Sequence, residues 1–360
     1  MSRNCATGPD PASAIARLLD RQTNLSPLQG LQALVRERLG VLPLPGGGQT
    51  LVRWRALACV GAHDLALAKL YEAHTDALAI LHELAAAGMS DDEEAALWGV
   101  WCAEPPHARL QCLAEPPAAP GQPVRLRGRK PWCSGAQGLS HALVSCWDPQ
   151  GHARLAAVRL RQPGVHITDQ GWSAVGMAGA ASVDVVFDDA AAHLVGEPGG
   201  YLARPGFLHG GAGVAACWYG AAAQLARRLL QHVGRRGQGE PARMDPHALA
   251  HLGAVDVGLH AAASALRDAA DVIDARSHDS CALETARARL AVEAVATDVV
   301  ERAGRALGAG PLCREADVAR RMADLPVFIR QSHAERDQAA HGERLASTAS
   351  GMNGDGTWTL

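Results

Sequence analysis

The chain has 360 residues, a formal net charge of -3 and a sequence pI near 6.6, which gives no reason to expect a nucleic-acid partner. Hydrophobic residues make up 48% of the sequence but Phe, Tyr and Trp only 4%, and the abundance of alanine predicts a helix-dominated protein with more than one domain. Nine cysteines without C-x-x-C spacing, no signal peptide at Met1 and no apolar run of transmembrane length predict free thiols, no membrane partner and a cytoplasmic location.

The first hundred residues are predicted to be mainly helical. A helix is expected after Asp10, and the run Pro43–Gly48 interrupts the helical pattern as a link or a loop bordering a pocket. Leu51–Ala87 has the pattern of one or two long helices. His74 lies on this stretch and is interpreted as a surface histidine, with a place at the pocket as the alternative. Gly99–Glu104 changes to the character of a strand.

The stretch from Val124 to Gly196 has the pattern of a compact antiparallel sheet or small barrel. Short apolar and often β-branched runs alternate there with Gly, Pro, Asp and Gln, which is typical of strands joined by turns. Helical sequence flanks the stretch on both sides, and the junctions between a β insert and helical halves are natural places for a cofactor. The predicted strands cover Val124–Leu126, Ala142–Trp147, Leu155–Leu160, Val165–Thr168 and Val183–Phe187.

The last third is predicted to form a four-helix bundle. Four long helical stretches with short links follow one another, and Asp245-Pro246 is a good N-cap and first-turn pair for the second of them. The stretches are Val214–His232, Pro246–Ala275, Cys281–Leu307 and Glu315–Arg344. The predicted domains are therefore an N-terminal helical domain over 1–97, a central β domain over 98–198 and a C-terminal bundle over 199–346, with a disordered tail over 347–360.

Several motifs in this order resemble those of acyl-CoA dehydrogenases. Gly128–Gly135 (GRKPWCSG) resembles their "G-K-K-W-I-T-N-G" segment, and Pro163–Val165 resembles their "P-G-V" turn. Val175–Asp188 resembles "L-G-M-R-G-T-x-S-x-x-V-x-F-x-D", Leu194–Gly196 resembles "L-V-G", and Cys102–Pro105 falls on the "A-M-T-E-P" strand. The resemblance implies a mostly α protein with a central β domain: an N-terminal helical domain, a β-barrel-like middle domain and a C-terminal four-helix bundle.

The resemblance also implies FAD between the β domain and the bundle. Trp132 and Ser134 match the family's tryptophan and threonine, which give the flavin ring an apolar wall and a hydroxyl near N5, and Ala103 matches a flavin-facing position. The alternative is a surface tryptophan on a strand with a serine in the following turn.

Two segments of the bundle resemble family segments that contact FAD. Arg305–Gly310 resembles "Q-x-x-G-G-x-G", which reaches the FAD of a neighbouring subunit, so Arg305 and Gly308 are predicted to contact the cofactor in a homodimer or homotetramer. Arg235–Gly239 resembles a degraded "R-x-Q-F-G", which makes Arg236 a further candidate for contact with the cofactor. The alternative for this segment is a solvated basic loop.

The usual catalytic base of the family is missing. The family's "Y-E-G-T" glutamate falls on Phe328–Gln331, and the other position used in the family falls on His209–Gly211, so neither supplies a carboxylate. His333 and Glu335 are predicted as substitute bases, with His333 one helical turn from Asp337. The alternative is that these residues form a charged face of the last helix, in solvent or at a subunit contact.

The resemblance implies an FAD-dependent oxidoreductase that acts on the CH-CH group of an acyl thioester or a related small molecule. An acyl-CoA is among the candidate substrates, and an electron-transfer partner is a further expectation. Pro106–Arg109 replaces the family's "G-S-D", near a serine that helps to hold acyl-CoA. Two alternatives stay open: a flavin-dependent monooxygenase or oxidase on the same fold, and a catalytically degenerate flavin-binding subunit. No metal site is predicted, because His247 and His251 lack a third ligand.

Overall fold

The computed structural model describes residues 10–22, 24–84, 96–105, 108–113, 119–236, 245–351 and 358. The protein is mostly helical with a central β domain, which confirms the predicted fold class. Helices precede and follow the sheet in the chain, and the two helical groups pack directly on each other.

Four helices are present in the described residues before the sheet. The predicted helical stretch from Leu51 is two helices, and the carboxylate of Asp64 lies between them and accepts a 2.7 Å hydrogen bond from the backbone N–H of Leu67, as an N-cap does. Ser26 and Gln29 form a reciprocal capping box at the start of the second helix. The helices are α1 (Pro11–Arg21), α2 (Pro27–Arg36), α3 (Thr50–His63) and α4 (Leu65–Glu83).

The central sheet closes on itself. Each strand of the ring β4–β2–β3–β7–β5 pairs with the next, and β5 pairs back with β4, so the predicted barrel-like domain is present. Strand β1 adds to β4 in parallel, and β6 adds to β7. Alternate residues of β3 point into the ring, which explains the period-two pattern of the sequence. The strands are β1 (Trp98–Trp101), β2 (Gln111–Leu113), β3 (Pro123–Cys133), β4 (His141–Trp147), β5 (Ala153–Arg159), β6 (Val165–Ile167) and β7 (Val183–Val195).

The C-terminal layer differs from the predicted bundle in its last helix. The single helix expected over Glu315–Arg344 is two helices separated by a break at 330–334, because Ala334 adopts a left-handed φ of 46° that a helix does not allow. Helix α11 also continues to Gly351, so the tail predicted to begin at Ser347 starts within a helix. The helices are α5 (Gly200–Ala203), α6 (Gly206–Arg236), α7 (Pro246–Ala275), α8 (Ala282–Leu307), α9 (Ala309–Arg314), α10 (Ala316–Ile329) and α11 (Glu335–Gly351).

One apolar core runs through all three parts. The same cluster of buried residues contains Leu57 of α3, Phe187 of β7 and Val299 of α8. Helices α3 and α6 approach most closely where Gly61 and Gly220 face the other helix. A Cβ atom on Gly220 would lie 1.9 Å from the carbonyl oxygen of Ala58, so only glycine allows this approach.

Helix α7 carries a polar anchor and an exposed apolar surface. The carboxylate of Asp274 accepts hydrogen bonds from the N–H of Gly48 (3.0 Å) and from the N–H and hydroxyl of Thr50 (3.0 and 2.6 Å), which fixes the loop before α3. By length and composition alone α7 could cross a membrane, so the expectation that no apolar stretch reaches that length is wrong. The helix packs on α6 and α8, and only 17% of its most apolar stretch is buried.

Candidate functional site

The first wall of the candidate site is at the end of β3. The pairing of β3 with β7 shifts between Lys130 and Cys133, and Trp132 takes a left-handed φ of 58° there. This turn leaves the Trp132 side chain 49% exposed, whereas Ser134 is buried with its Oγ 2.8 Å from Oγ of Ser182. Ala103, just after β1, is also exposed. The structure therefore leaves about half of the surface of this large aromatic residue uncovered by the described part of the chain.

A buried ion pair lies at the base of this wall. Lys130 is fully buried, and its Nζ lies 2.6 Å from Oε1 of Glu104 and 2.7 Å from Oγ of Ser145. The indole Nε1 of Trp147 donates a 3.0 Å hydrogen bond to the other oxygen of Glu104. Paired in this way, a buried charge is stabilised, and the network fixes β3 to β4 immediately before Trp132.

The loop between β6 and β7 joins this wall to the helices. The backbone N–H of Met177 donates a short hydrogen bond to the carboxylate of Asp324 on α10, and a Cβ on Gly176 would lie 2.1 Å from the carbonyl oxygen of Ala323. The segment that resembles "L-G-M-R-G" is thus held against the bundle. A cleft of about 580 Å³ lies beside it, lined by polar residues that include Ser26, Gln29, Asp64 and Arg320.

Helix α4 lies between the β domain and the bundle. Leu70 packs beneath Gly135, where a Cβ would lie 2.8 Å from Cδ2 of the leucine. His74 is buried and its Nδ1 accepts a hydrogen bond from the N–H of Trp98 (3.3 Å), so its interpretation as a surface histidine is wrong. Burial lowers the pKa of His74 to about 4, because the charged imidazolium would lose its solvation.

The opposite face of α4 carries charged side chains toward the bundle. Lys69, Glu72 and Asp76 lie three and four residues apart and so share one face of the helix. Glu72 and Asp76 are buried, and Oδ1 of Asp76 lies close to Gly210 of α6, where a Cβ would be 3.1 Å away. Nζ of Lys69 lies 5.7 Å from the centroid of the Phe328 ring. This charged face was not predicted from the sequence, although its i, i+3, i+7 spacing was the available signal.

Arg289 connects the two segments in which the family's glutamate is missing. Nη1 of Arg289 on α8 donates a 2.7 Å hydrogen bond to the carbonyl of Gly211, and Nη2 donates a 3.1 Å hydrogen bond to the carbonyl of Gln331. The guanidinium carbon lies 4.7 Å from the Trp218 ring centroid. Burial lowers the pKa of Arg289, although nearby carboxylates raise it. The structure thus brings both positions together and joins them through a cation.

The residues predicted as substitute bases lie on the outside of the bundle. His333 is 66% exposed, and its Nδ1 lies 3.5 Å from Oδ1 of Asp337, so the predicted i,i+4 pair is formed. Glu335, at the start of α11, is exposed. The neighbouring Ser332 is buried and bridges the carboxylates of Glu293 and Asp337 instead. Ser332 is therefore buried, whereas the two predicted bases, His333 and Glu335, are exposed.

The cofactor residues predicted in the bundle are also peripheral. Arg305 is exposed near the end of α8 and forms an ion pair with Glu301 (2.5 Å). Gly308 has a φ of 66°, and no atom lies within 4 Å of an added Cβ, so the backbone there is open to a ligand or a second chain. The side chain of Arg236, like residues 237–239, lies outside the described part of the structure.

Comparison with known proteins identifies the fold. The sequence profile of the acyl-CoA dehydrogenase C-terminal domain matches residues 198–329. Butyryl-CoA dehydrogenase from Megasphaera elsdenii superposes with a TM-score of 0.78 at 16% identity, covering 94% of this chain and 99% of its own. The chain therefore has the acyl-CoA dehydrogenase fold, and the family resemblance predicted from the sequence is confirmed.

Two other solved structures on this fold come from different enzymes. TdsC from Paenibacillus sp. A11-2, a dibenzothiophene monooxygenase, was solved with FMN and indole; it has a TM-score of 0.77 and 18% identity, covering 92% of this chain and 95% of its own. KijD3, solved with FMN and dTDP-3-amino-2,3,6-trideoxy-4-keto-3-methyl-D-glucose, has a TM-score of 0.74 and 20% identity, covering 96% and 92%. A comparison with curated protein sequences gives no match.

Proposed function

We propose that this protein is a flavin-dependent oxidoreductase that uses oxygen on a small polar substrate, as a monooxygenase or oxidase. The observation that carries the proposal is the place of Arg289. Removal of an α proton from an acyl thioester needs a carboxylate over the substrate. In this protein a guanidinium joins the two segments in which the family carries that carboxylate. Without that carboxylate, the usual dehydrogenation of acyl-CoA has no base at either position.

The residues at the end of β3 fit a flavin. Trp132 offers an exposed aromatic face for a planar ring, Ala103 leaves room beside it, and the hydroxyl of Ser134 lies in the following turn. A bound flavin would supply hydride acceptance or oxygen activation there. The residues of this chain hold the flavin ring against Trp132, and the loop at Met177 excludes water from the ring.

FAD is the proposed flavin, with FMN as the alternative. FAD fits an assembled oligomer in which the exposed Arg305 and the open backbone at Gly308 reach the adenine half of a cofactor bound by a second subunit. FMN has no adenine half and needs no such contact, and TdsC and KijD3 were both solved with FMN. Identifying the released nucleotide by chromatography distinguishes the two.

The charged face of α4 supports a polar substrate. An alkyl chain lying against Lys69, Glu72 and Asp76 would keep water from these charges and offer no hydrogen bonds in return, which costs free energy. Oxidation of a CH-CH group is the second candidate, because Trp132 and Ser134 match the dehydrogenase motif. For that reaction another group would have to serve as the base.

The proposal includes a homodimer or homotetramer in the cytoplasm. Helix α7 leaves Leu249 and Val257 exposed along a helix whose other face packs on α6 and α8. A second copy of the chain would bury this surface, and symmetric association is the usual way in which soluble proteins do so.

Reconstitution with FAD and with FMN tests the proposal. We expect one of them to bind, little bleaching of the flavin by butyryl-CoA without oxygen, and oxygen-dependent turnover of a probe such as indole when reduced flavin is supplied. Rapid bleaching by butyryl-CoA would support the CH-CH reaction instead. A protein that takes up neither flavin would contradict both and support a degenerate subunit.

A further inference from the structure

Glu72 carries a buried carboxylate on the face of α4 that points toward the bundle. Its side chain is 7% exposed, and none of the described residues donates a hydrogen bond to it. Native proteins rarely bury a carboxylate without a partner, because the ionised group loses the solvation of water. Asp76, one turn further along α4, is also buried; its Oδ2 lies 3.7 Å from Nη2 of Arg204, whereas its Oδ1 has no hydrogen-bond partner among the described residues.

Glu72 faces the segments where the fold family has its glutamates. Gly210, with no side chain, lies against Asp76 on the same face of α4, and Arg289 interacts electrostatically with Glu72 while binding the carbonyls of Gly211 and Gln331. Helix α10 contributes Phe328, which lies beside Lys69. A buried carboxylate on α4 therefore lies on the face that packs against α6 and α10, the helices that lack the family's glutamate.

Burial raises the pKa of Glu72 to about 7, because desolvation disfavours the carboxylate. The titratable groups that face it act in both directions. Asp76 raises the pKa further, and the cations Lys69, Arg53 and Arg289 lower it; Cys217 of α6 also lies close. A group with a pKa near neutral pH takes up and releases a proton readily under working conditions.

We propose that Glu72 is the acid–base residue of this site and exchanges a proton with the substrate atom that is oxidised. The bond between that atom and hydrogen breaks, and the proton passes to a carboxylate oxygen of Glu72, which becomes a carboxylic acid. The electron pair left on the substrate atom would be taken up by the flavin and oxygen of the proposed function, which together are the oxidant. The inference rests on the proposed flavin-dependent oxidation. Glu72, which is buried, takes the place of His333 and Glu335, the exposed residues that were predicted as bases.

Infrared pH titration of the flavin-loaded protein tests the assignment without a turnover assay. We expect a protonated-carboxyl band that disappears between pH 6 and 8 in the wild type and in Glu37→Gln, a matched variant of an exposed glutamate, and that is missing in Glu72→Gln. A band that persists in Glu72→Gln, or no carboxyl group titrating in that range in the wild type, would overturn the inference.

Turnover supplies the second measurement, with indole and butyryl-CoA as probes. Glu72→Gln should lower kcat by a factor of about 100 or more while flavin content is unchanged, and it should remove the dependence of kcat on an ionisation near pH 7. Normal turnover in Glu72→Gln, or loss of turnover only in Glu335→Gln, would overturn the inference. Failure to bind flavin would count against the proposed function, which keeps the two failures distinguishable.

Discussion

At the scale of single residues, the main cost in this protein is the burial of charge on α4. Glu72 and Asp76 are both buried; Asp76 forms an ion pair with Arg204 (3.7 Å), whereas none of the described residues donates a hydrogen bond to Glu72, whose ionised carboxylate would be more stable in water. Folded proteins keep such groups where binding or chemistry requires them, so a pKa shifted by burial is a useful marker of a site. This cost can be measured as a pH dependence of stability.

Replacing Glu72 with glutamine should change how stability varies with pH. Burial raises the folded-state pKa to about 7, above the ordinary value of 4.5, so below pH 4.5 both states hold the proton and Glu72 has no effect. As pH rises from 4.5 to 7 the unfolded chain releases the proton while the folded chain retains it, and stability falls. Relative to Glu72→Gln, the wild type should lose up to about 3 kcal/mol of unfolding free energy between pH 5 and 8.

Urea denaturation at several pH values measures this difference. Glu37→Gln serves as the control, because Glu37 is exposed and the variant should follow the wild type throughout the range. Parallel stability curves for Glu72→Gln and the wild type would mean that Glu72 is already neutralised by a partner at pH 8.

Replacing Trp132 with alanine should weaken flavin retention. The variant removes the exposed aromatic wall at the end of β3, and aromatic stacking is worth on the order of 1 kcal/mol beyond area burial. Fluorescence titration with FAD and FMN gives the dissociation constants, with Trp358→Ala as the control for loss of an exposed tryptophan. Unchanged affinity in Trp132→Ala would place the flavin elsewhere.

At the scale of elements, close packing of α3 on α6 fixes the position of the helix that carries Gly210 and Gly211. Gly220 touches the backbone of α3, whereas Gly234, near the end of the same helix, has no atom within 4 Å of an added Cβ. Gly220→Ala should force the two helices apart and cost on the order of 1–3 kcal/mol, as overpacking does. Gly234→Ala should be neutral or raise stability by up to about 1 kcal/mol through helix propensity.

Thermal and urea unfolding of these two variants measure the effect. Both substitutions are chemically identical and lie on one helix, so the difference between their unfolding free energies isolates the contact with α3. Equal stabilities of Gly220→Ala and Gly234→Ala would show that α3 and α6 separate without cost.

At the scale of the whole molecule, one core joins the helical layers and the barrel, and α7 is the long helix left with an apolar outer surface. Val257 is 69% exposed there. Val257→Glu should shift the protein toward monomer, because it places a charge where a second copy would exclude water. Light scattering at micromolar concentration measures the mass, and Val41→Glu, at an exposed valine of the N-terminal part, should leave it unchanged.

A monomeric wild type that still retains FAD would contradict this prediction and the role assigned to Arg305 and Gly308. In that case self-association would not explain why one side of α7 is exposed.

The sequence by itself determined the class of fold. Period-two patterns between Val124 and Gly196 and long helical patterns on either side follow from local periodicity. The GRKPWCSG motif singled out Trp132, which the structure places at the end of β3. Local signals did not show the break before Ala334, because a single left-handed residue there has no strong sequence marker. Nor did they show that His74 is buried, since burial depends on β1 lying across α4.

Only the tertiary structure decided what faces the charged side of α4. Helical spacing places Lys69, Glu72 and Asp76 on one face, but it does not say whether water, an apolar core or another charge lies opposite. That depends on segments more than a hundred residues away in the chain, Gly210–Gly211 on α6 and Arg289 on α8. Contacts of such separation are fixed by the packing of whole helices, so they emerge only when the three layers are assembled.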